Sequence, residues 1–294
     1  MKNWFRAMGL AGVVLLATPL VATAAGYGPA AVREQVESSM LVRGEVQIET
    51  DGTVSAVTLH REEKLPRGVV TLVREAALQW RFEPIVVEGA VVKAIAPMSL
   101  RVIARKGEGD SFEVALRGLN FQRFDSEDPQ NVASLDMPPP RYPEQAWRTG
   151  ASGDVYLLVR VGRNGQVEDA FAEQVNLGFL SSAAEQRRFR ELFARNAVAA
   201  ARRWTFRTPT TGETASQPYW NIRVPVSYRL STGTVPREHD GYGRWNSYVA
   251  GPRESAPWRD AAQEAHFSPD TLPEGGVYMA DAKGPRLLTP LHGG

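Results

Sequence analysis

Cysteine is absent from this chain of 294 residues, which excludes disulfides, thiolate metal sites and cysteine nucleophiles together. Histidine is scarce: His60, His239, His266 and His292 are widely spaced, so no histidine-based metal site is expected. An excess of either charge is missing too. Thirty-four basic residues face 33 acidic ones, a formal charge of +1, which argues against nucleic acid as a partner. The chain has no His-Glu-x-x-His, Gly-x-Ser-x-Gly or Ser-x-x-Lys sequence and no phosphate-cradling glycine loop. An enzyme is therefore not expected, and neither is a cofactor. Neighbouring carboxylates such as Glu62 and Glu63 read as solvated surface. What remains is a globular composition, 43% hydrophobic and 23% charged, with length for one large domain or two small ones.

One long apolar run is present. Lys2 and Arg6 precede an uncharged stretch from Ala7 to Tyr27, and Ala22-Thr23-Ala24 has the small-x-small spacing of a cleavage site. Residues 1–24 are expected to be a signal peptide, which places the mature chain in the periplasm. The alternative is a retained helix over 7–27 that anchors the chain in the inner membrane, because about 20 apolar residues span a bilayer. A cysteine-free exported chain suits an oxidising compartment.

The rest divides by composition into a core-forming stretch at 25–105, a polar linker at 106–138, a second core stretch at 139–230 and a Pro/Gly-rich tail at 231–294 expected to be irregular. Within the linker, Phe112, Val114 and Leu116 have the spacing of a short strand. The two core stretches share one plan. Alternating Val46 and Ile48 lead to Asp51-Gly52, and Val155, Leu157, Val159 and Val161 lead to Asn164-Gly165. Both dipeptides favour tight hairpins. A second strand follows at Val54–Leu59 and Val167–Val175. Helical stripes then run through Val69, Leu72, Val73 and Ala76, and through Phe189, Leu192, Phe193 and Ala197. Ser182 and Glu185 form a capping-box pattern for the second helix. Each helix leads into a Trp-x-Phe phrase, Trp80-Arg81-Phe82 and Trp204-Thr205-Phe206, and closing strands are expected at Val91–Ala104 and Asn221–Leu230. The fold class is α+β: two units, each a three-stranded antiparallel sheet with a helix packed on one face. The Trp-x-Phe aromatics are read as core, and the arginine-rich face of the second helix as solvated. Pro225 suits an edge strand.

Pro140-Arg141-Tyr142-Pro143, Ala146, Gly153-Asp154-Val155, Asn164-Gly165-Gln166-Val167, Trp204-Thr205-Phe206 and Val224-Pro225-Val226-Ser227-Tyr228, in that order, resemble the C-terminal domain of the TonB family over about 139–230. Gly44 to Ala104 resembles a degenerate copy of the same domain that lacks the Pro-x-Tyr-Pro opening. The resemblance implies an envelope protein that binds a segment of an outer-membrane receptor, or another envelope protein, by strand addition. The resemblance carries the partner positions onto Asn221–Leu230 and Met137–Arg141; the candidates are Arg141, Tyr142, Trp220, Asn221, Arg223, Val224, Val226 and Tyr228, with Tyr219 and Trp220, just before the strand, either touching a docked peptide or packing. An anchored energy transducer and a homodimeric structural protein are the alternatives. The apolar leader has no His or Ser within Leu10–Ala25, and about 20 residues separate it from the first unit; the family's anchor and long spacer look different. Mass spectrometry of the exported protein is expected to find a mature start at Ala25 or Gly26, and an intact N-terminus would select the anchored form.

Overall fold

The computed structural model describes residues 37–107, 111–230, 242–260, 267–282 and 284–291. The expected leader, His239, His266 and His292 lie outside them. Among the described residues no helix is long and apolar enough to cross a membrane.

The first sheet is built on two long central strands, β1 (Glu37–Ile48) and β5 (Ala94–Lys106), paired antiparallel along their length. Strand β2 (Val54–Leu59) returns from the Asp51-Gly52 turn to pair with the second half of β1. Between β2 and β5 come helix α1 (Arg67–Leu78) and a short exposed hairpin, β3 (Val86–Val87) and β4 (Ala90–Val91). Strand β6 (Phe112–Asn120) adds to the far edge of β5. Met40, Val42, Val46 and Ile48 alternate toward α1, which buries Val69, Val73 and Ala77 against them. That is the period of two meeting the period of 3.6.

The second sheet is ordered β9–β8–β11, with β8 at Gly153–Gly162, β9 at Val167–Leu177 and β11 at Tyr219–Tyr228. Strand β7 (Ala133–Asp136) and helix α2 (Glu144–Thr149) precede it. Helix α3 (Ala183–Ala201) starts at the expected box, in which Ser182 Oγ accepts from the Glu185 amide and the Glu185 carboxylate accepts from the Ser182 amide. Phe189, Phe193, Ala197 and Ala200 pack onto Val155, Leu157, Val159, Ile222 and Val224. A short strand β10 (Thr205–Arg207) then pairs with β7.

The two halves share a contact at the hairpin turn. Gly52 and Gly165 take positive φ, 81° and 76°. In the first half the Gly52 carbonyl accepts from the Phe82 amide at 2.8 Å; in the second the Gly165 carbonyl accepts from the Phe206 amide at 2.8 Å. A Cβ on Gly52 would lie 2.0 Å from the Phe82 carbonyl oxygen, and one on Gly165 2.2 Å from that of Phe206, so only glycine fits either turn. Each Trp-x-Phe phrase is thereby tied to its hairpin, with Trp80, Phe82, Trp204 and Phe206 all buried.

The architecture is α+β with antiparallel sheets, as expected, but the sheets are larger than three strands. Residues 106–138 contain β6 and β7, and the C-terminal residues add strands to both sheets. Strand β12 (Asn246–Tyr248) pairs with the start of β1, on the same edge that β2 uses further along. Strand β13 (Tyr278–Met279) pairs with β11. Val249 bridges to Leu177 and Arg253 to Gln174, on the outer edge of β9. The second sheet is covered by α3 on one face, while Trp258 and Phe267 lie against Asn221, Arg160 and Arg223 on the other. The described part of the C-terminal segment is mostly irregular in backbone, with short strands that pack it onto both sheets. Its apolar residues Tyr248, Val249, Leu272, Val277 and Tyr278 occur alone or in short runs between glycine, proline and charge. They have no local period, yet all are buried, three of them by pairing with distant strands.

Trp204 is almost fully enclosed and its indole N–H donates to the Pro138 carbonyl at 2.9 Å. Trp204→Ala is expected to cost about 3–5 kcal/mol, read as a lowered denaturation midpoint. An unchanged melt would contradict this placement of the core.

Candidate functional site

The edge of β11 is the candidate site, and its chemistry starts from strand alternation. Trp220, Ile222, Val224, Val226 and Tyr228 all belong to the core that α3 covers. Trp220 donates its indole N–H to the Thr214 carbonyl at 3.0 Å, and the Tyr228 hydroxyl donates to Asn196 Oδ1 at 2.6 Å. Tyr142, just after Arg141 on the lead-in to α2, sets its ring edge-on to Phe193 and Tyr228 and donates its hydroxyl to the Ala151 carbonyl. Arg141 itself is exposed.

The opposite face of β11 carries Asn221 and Arg223. The Arg223 guanidinium, 2% exposed, donates to both oxygens of Glu173 at 2.8 and 3.1 Å and lies 4.0 Å from the centre of the Phe267 ring. Asn221 Oδ1 accepts from the Trp258 indole at 3.1 Å, while its Nδ2 donates to Asp281 at 3.3 Å. Trp258 also stacks on Arg160, whose guanidinium is 4.9 Å from its ring centre. Of the eight candidate positions, only Arg141 presents an exposed side chain. The other seven form the inside of the site, and Tyr219, at 38% exposure, is the neighbouring aromatic turned outward. The outer edge of β11 therefore presents backbone more than side chains.

That backbone edge is partly filled. Ile222 lies opposite Met279 and Arg223 opposite Tyr278, and the Ala280 amide donates to the Asn221 carbonyl at 2.8 Å. The register has Asn221 and Arg223 turning their backbone groups away from β8, and by alternation Pro225 and Ser227 do the same. Pro225 therefore removes no bond from the β8–β11 ladder, which explains a proline inside a ten-residue strand. Sequence reading missed the buried Glu173–Arg223 pair and the C-terminal partners. No motif marks them, because they come together only across the folded sheet.

Between the sheets, Pro269–Thr271 forms a single 3-10 turn that touches β5, β6, β9 and β11. Asp270 is fully enclosed; it accepts from the Tyr248 hydroxyl and from Ser268 Oγ at 2.6 Å, while Arg101 Nε donates to its main-chain carbonyl at 2.7 Å. Ser99 Oγ donates to the Thr271 carbonyl at 2.5 Å. Beside this turn lies a cavity of about 590 Å³ lined by residues of both sheets, among them Arg101, Asp154, Tyr156, Asn176 and Arg229. Burial pushes the Asp154 carboxyl above the usual carboxylate range and the Tyr156 phenol well above that of a free tyrosine. Among the described residues no cluster of His, Asp and Glu is placed to hold a metal ion.

Two curated proteins called Protein TonB, from Xanthomonas campestris pv. campestris strain B100 and a second strain of that pathovar, are each 35% identical to this chain over 102 residues. The match covers 34% of this chain and 39% of each relative, so the chain spans about two-fifths of their length. No family model matches, and no solved structure matches. The similarity supports a TonB-like C-terminal domain within this chain.

Two predictions follow from the geometry. Glu173→Ala strands a buried guanidinium and is expected to cost about 3–5 kcal/mol, measured by denaturant unfolding; a loss below about 1 kcal/mol, the range of an exposed pair, would contradict the burial. Burial also raises the phenols of Tyr156, Tyr228, Tyr248 and Tyr278, the last to about 12. Their folded values exceed the unfolded one, so their contribution is complete below about pH 10 and falls as pH rises, that of Tyr278 being lost through about 12. Stability is expected to fall between these limits, and Tyr278→Phe to flatten the fall.

Proposed function

We propose that this chain is a TonB-like envelope protein of TonB-dependent transport whose second unit binds an extended segment of an outer-membrane receptor by adding it to the β11 edge. The observation that carries the reading is that this edge already accepts a strand in antiparallel register, at Ile222–Met279 and Arg223–Tyr278. An edge built this way gives a partner main-chain hydrogen bonds for affinity and alternate side-chain positions for specificity. The similarity to Protein TonB over about a third of the chain supports the same reading. Arg141 and Tyr219, both exposed, flank the edge as side-chain contacts, while Tyr142, Trp220, Asn221, Arg223, Val224, Val226 and Tyr228 hold it in shape.

The first unit reads as a degenerate second copy. The support is the shared turn: a positive-φ glycine, a carbonyl accepting from the second aromatic of Trp-x-Phe, and a helix ending just before that phrase. Export to the periplasm by a cleaved leader completes the proposal.

A photo-crosslinking amino acid at Ser227, whose backbone faces outward from β11, tests the receptor reading in cells. The expected product is a covalent adduct with a TonB-dependent outer-membrane receptor, identified by mass spectrometry. Adducts that contain no such receptor would contradict the proposal.

A further inference from the structure

The segment Glu274–Ala280 is held to the β11 edge by a short ladder and to the residue after β11 by an ion pair. At one end the Glu274 carboxylate accepts from Arg229, just past β11, at 2.5 Å. Gly275, at a φ of 80°, turns the chain onto the edge. Tyr278 and Met279 then pair with Arg223 and Ile222, and the Ala280 amide closes on the Asn221 carbonyl. The side chains alternate as a true sheet strand requires. Val277 is buried in the core under α3, Met279 packs against the same core, and Tyr278 points to the other face, where its hydroxyl donates to the Pro273 carbonyl at 3.0 Å.

The hold is short. The ladder with β11 covers two residue pairs and one flanking hydrogen bond, against ten residues available on β11. Natural strands average about five or six residues. A longer extended segment that also reached Pro225 and Ser227 would gain main-chain bonds that the C-terminal strand does not make.

From this register we infer that residues 274–280 are an internal pseudo-ligand, which occupies the partner edge in the resting chain and must leave before a partner strand can add. The inference rests on the β11 edge being the partner site and adds what covers it and what fits it. The occupant defines the partner's chemistry: an extended peptide with apolar side chains at two alternate positions, standing where Val277 and Met279 stand, and with a side chain between them that faces the other way. Tethering gives the internal strand an effective concentration on the order of millimolar, so a free peptide of similar intrinsic affinity meets a strongly occupied edge.

The probe is a fluorescein-labelled peptide with the sequence of residues 274–282, titrated into the full chain. Val277→Asp with Met279→Asp weakens the internal strand and is expected to tighten peptide binding by at least about tenfold. Ile222→Cys with Met279→Cys creates the only cysteine pair in the chain, at directly opposed sheet positions whose spacing suits a disulfide. Oxidised, this variant is expected to bind no peptide; reduced, it regains binding. Should the aspartate variant fail to fold, the oxidised and reduced forms decide alone. Equal binding by the two forms, or no gain on weakening the strand, would overturn the inference. The two readings fail separately. Undiminished receptor crosslinking by the oxidised form would sink the pseudo-ligand and spare the receptor. Peptide binding in the weakened variant without any receptor adduct at Ser227 would do the reverse.

Discussion

An antiparallel strand at the edge of a sheet has a row of amides and carbonyls that must be satisfied by something, and in this protein that requirement organises the described residues 246–253 and 274–280. An exposed edge next to a buried apolar face invites association with any passing strand. Here the chain answers its own edges: β13 on β11, Val249 and Arg253 on β9, and β12 on the first part of β1. Because those three contacts lie on two different sheets, satisfying them also ties the sheets together.

The tie is polar where it crosses between the sheets. Arg101 and Ser99 of β5 donate to main-chain carbonyls of the turn at Asp270 and Thr271, and Tyr248 of β12 donates to the Asp270 carboxylate. On the other side Arg223, paired with Glu173, meets Phe267. Charged groups in so enclosed a place are costly unless they are well paired, and the hydrogen bonds around Asp270 meet that condition. The consequence is a molecule in which the shape of the β11 edge depends on residues far away in sequence. A change at Ser99 or Arg101 in the first unit therefore bears on an edge in the second.

Much of this was legible in the sequence, and the limits have physical causes. Val54–Leu59 begins and ends where β2 does, the Ser182–Glu185 box caps α3, and the Trp-x-Phe aromatics are core, because each rests on short-range chemistry: a turn dipeptide, a cap, a helical stripe. The start of β1 at Glu37, ahead of the expected Gly44, was less visible because Glu37–Arg43 carries charges that pair only in the fold, Glu37 with Arg105 and Arg117. Only the first half of β6 was visible, where Phe112, Val114 and Leu116 alternate, because Arg117, Gly118 and Asn120 break the pattern after it. The C-terminal strands were hidden entirely, since two- and three-residue strands have no period to detect. For the candidate site, the positions named from the sequence fall mostly on β11, and most of their side chains are buried. Their inward direction follows from the alternation of β11, and Arg223 reads as a surface cation until Glu173 is placed beside it.

The most direct test of the account is whether β13 lies on β11 in solution. Ile222 and Met279 are a pair that does not exchange hydrogen bonds, so their α-protons are close. In NMR spectra of the isotopically labelled full chain, the account predicts a strong cross-peak between the Ile222 and Met279 α-protons, together with slowed exchange of the Ala280 amide. Absence of that cross-peak, with the Ala280 amide exchanging as fast as in an unstructured peptide, would contradict it.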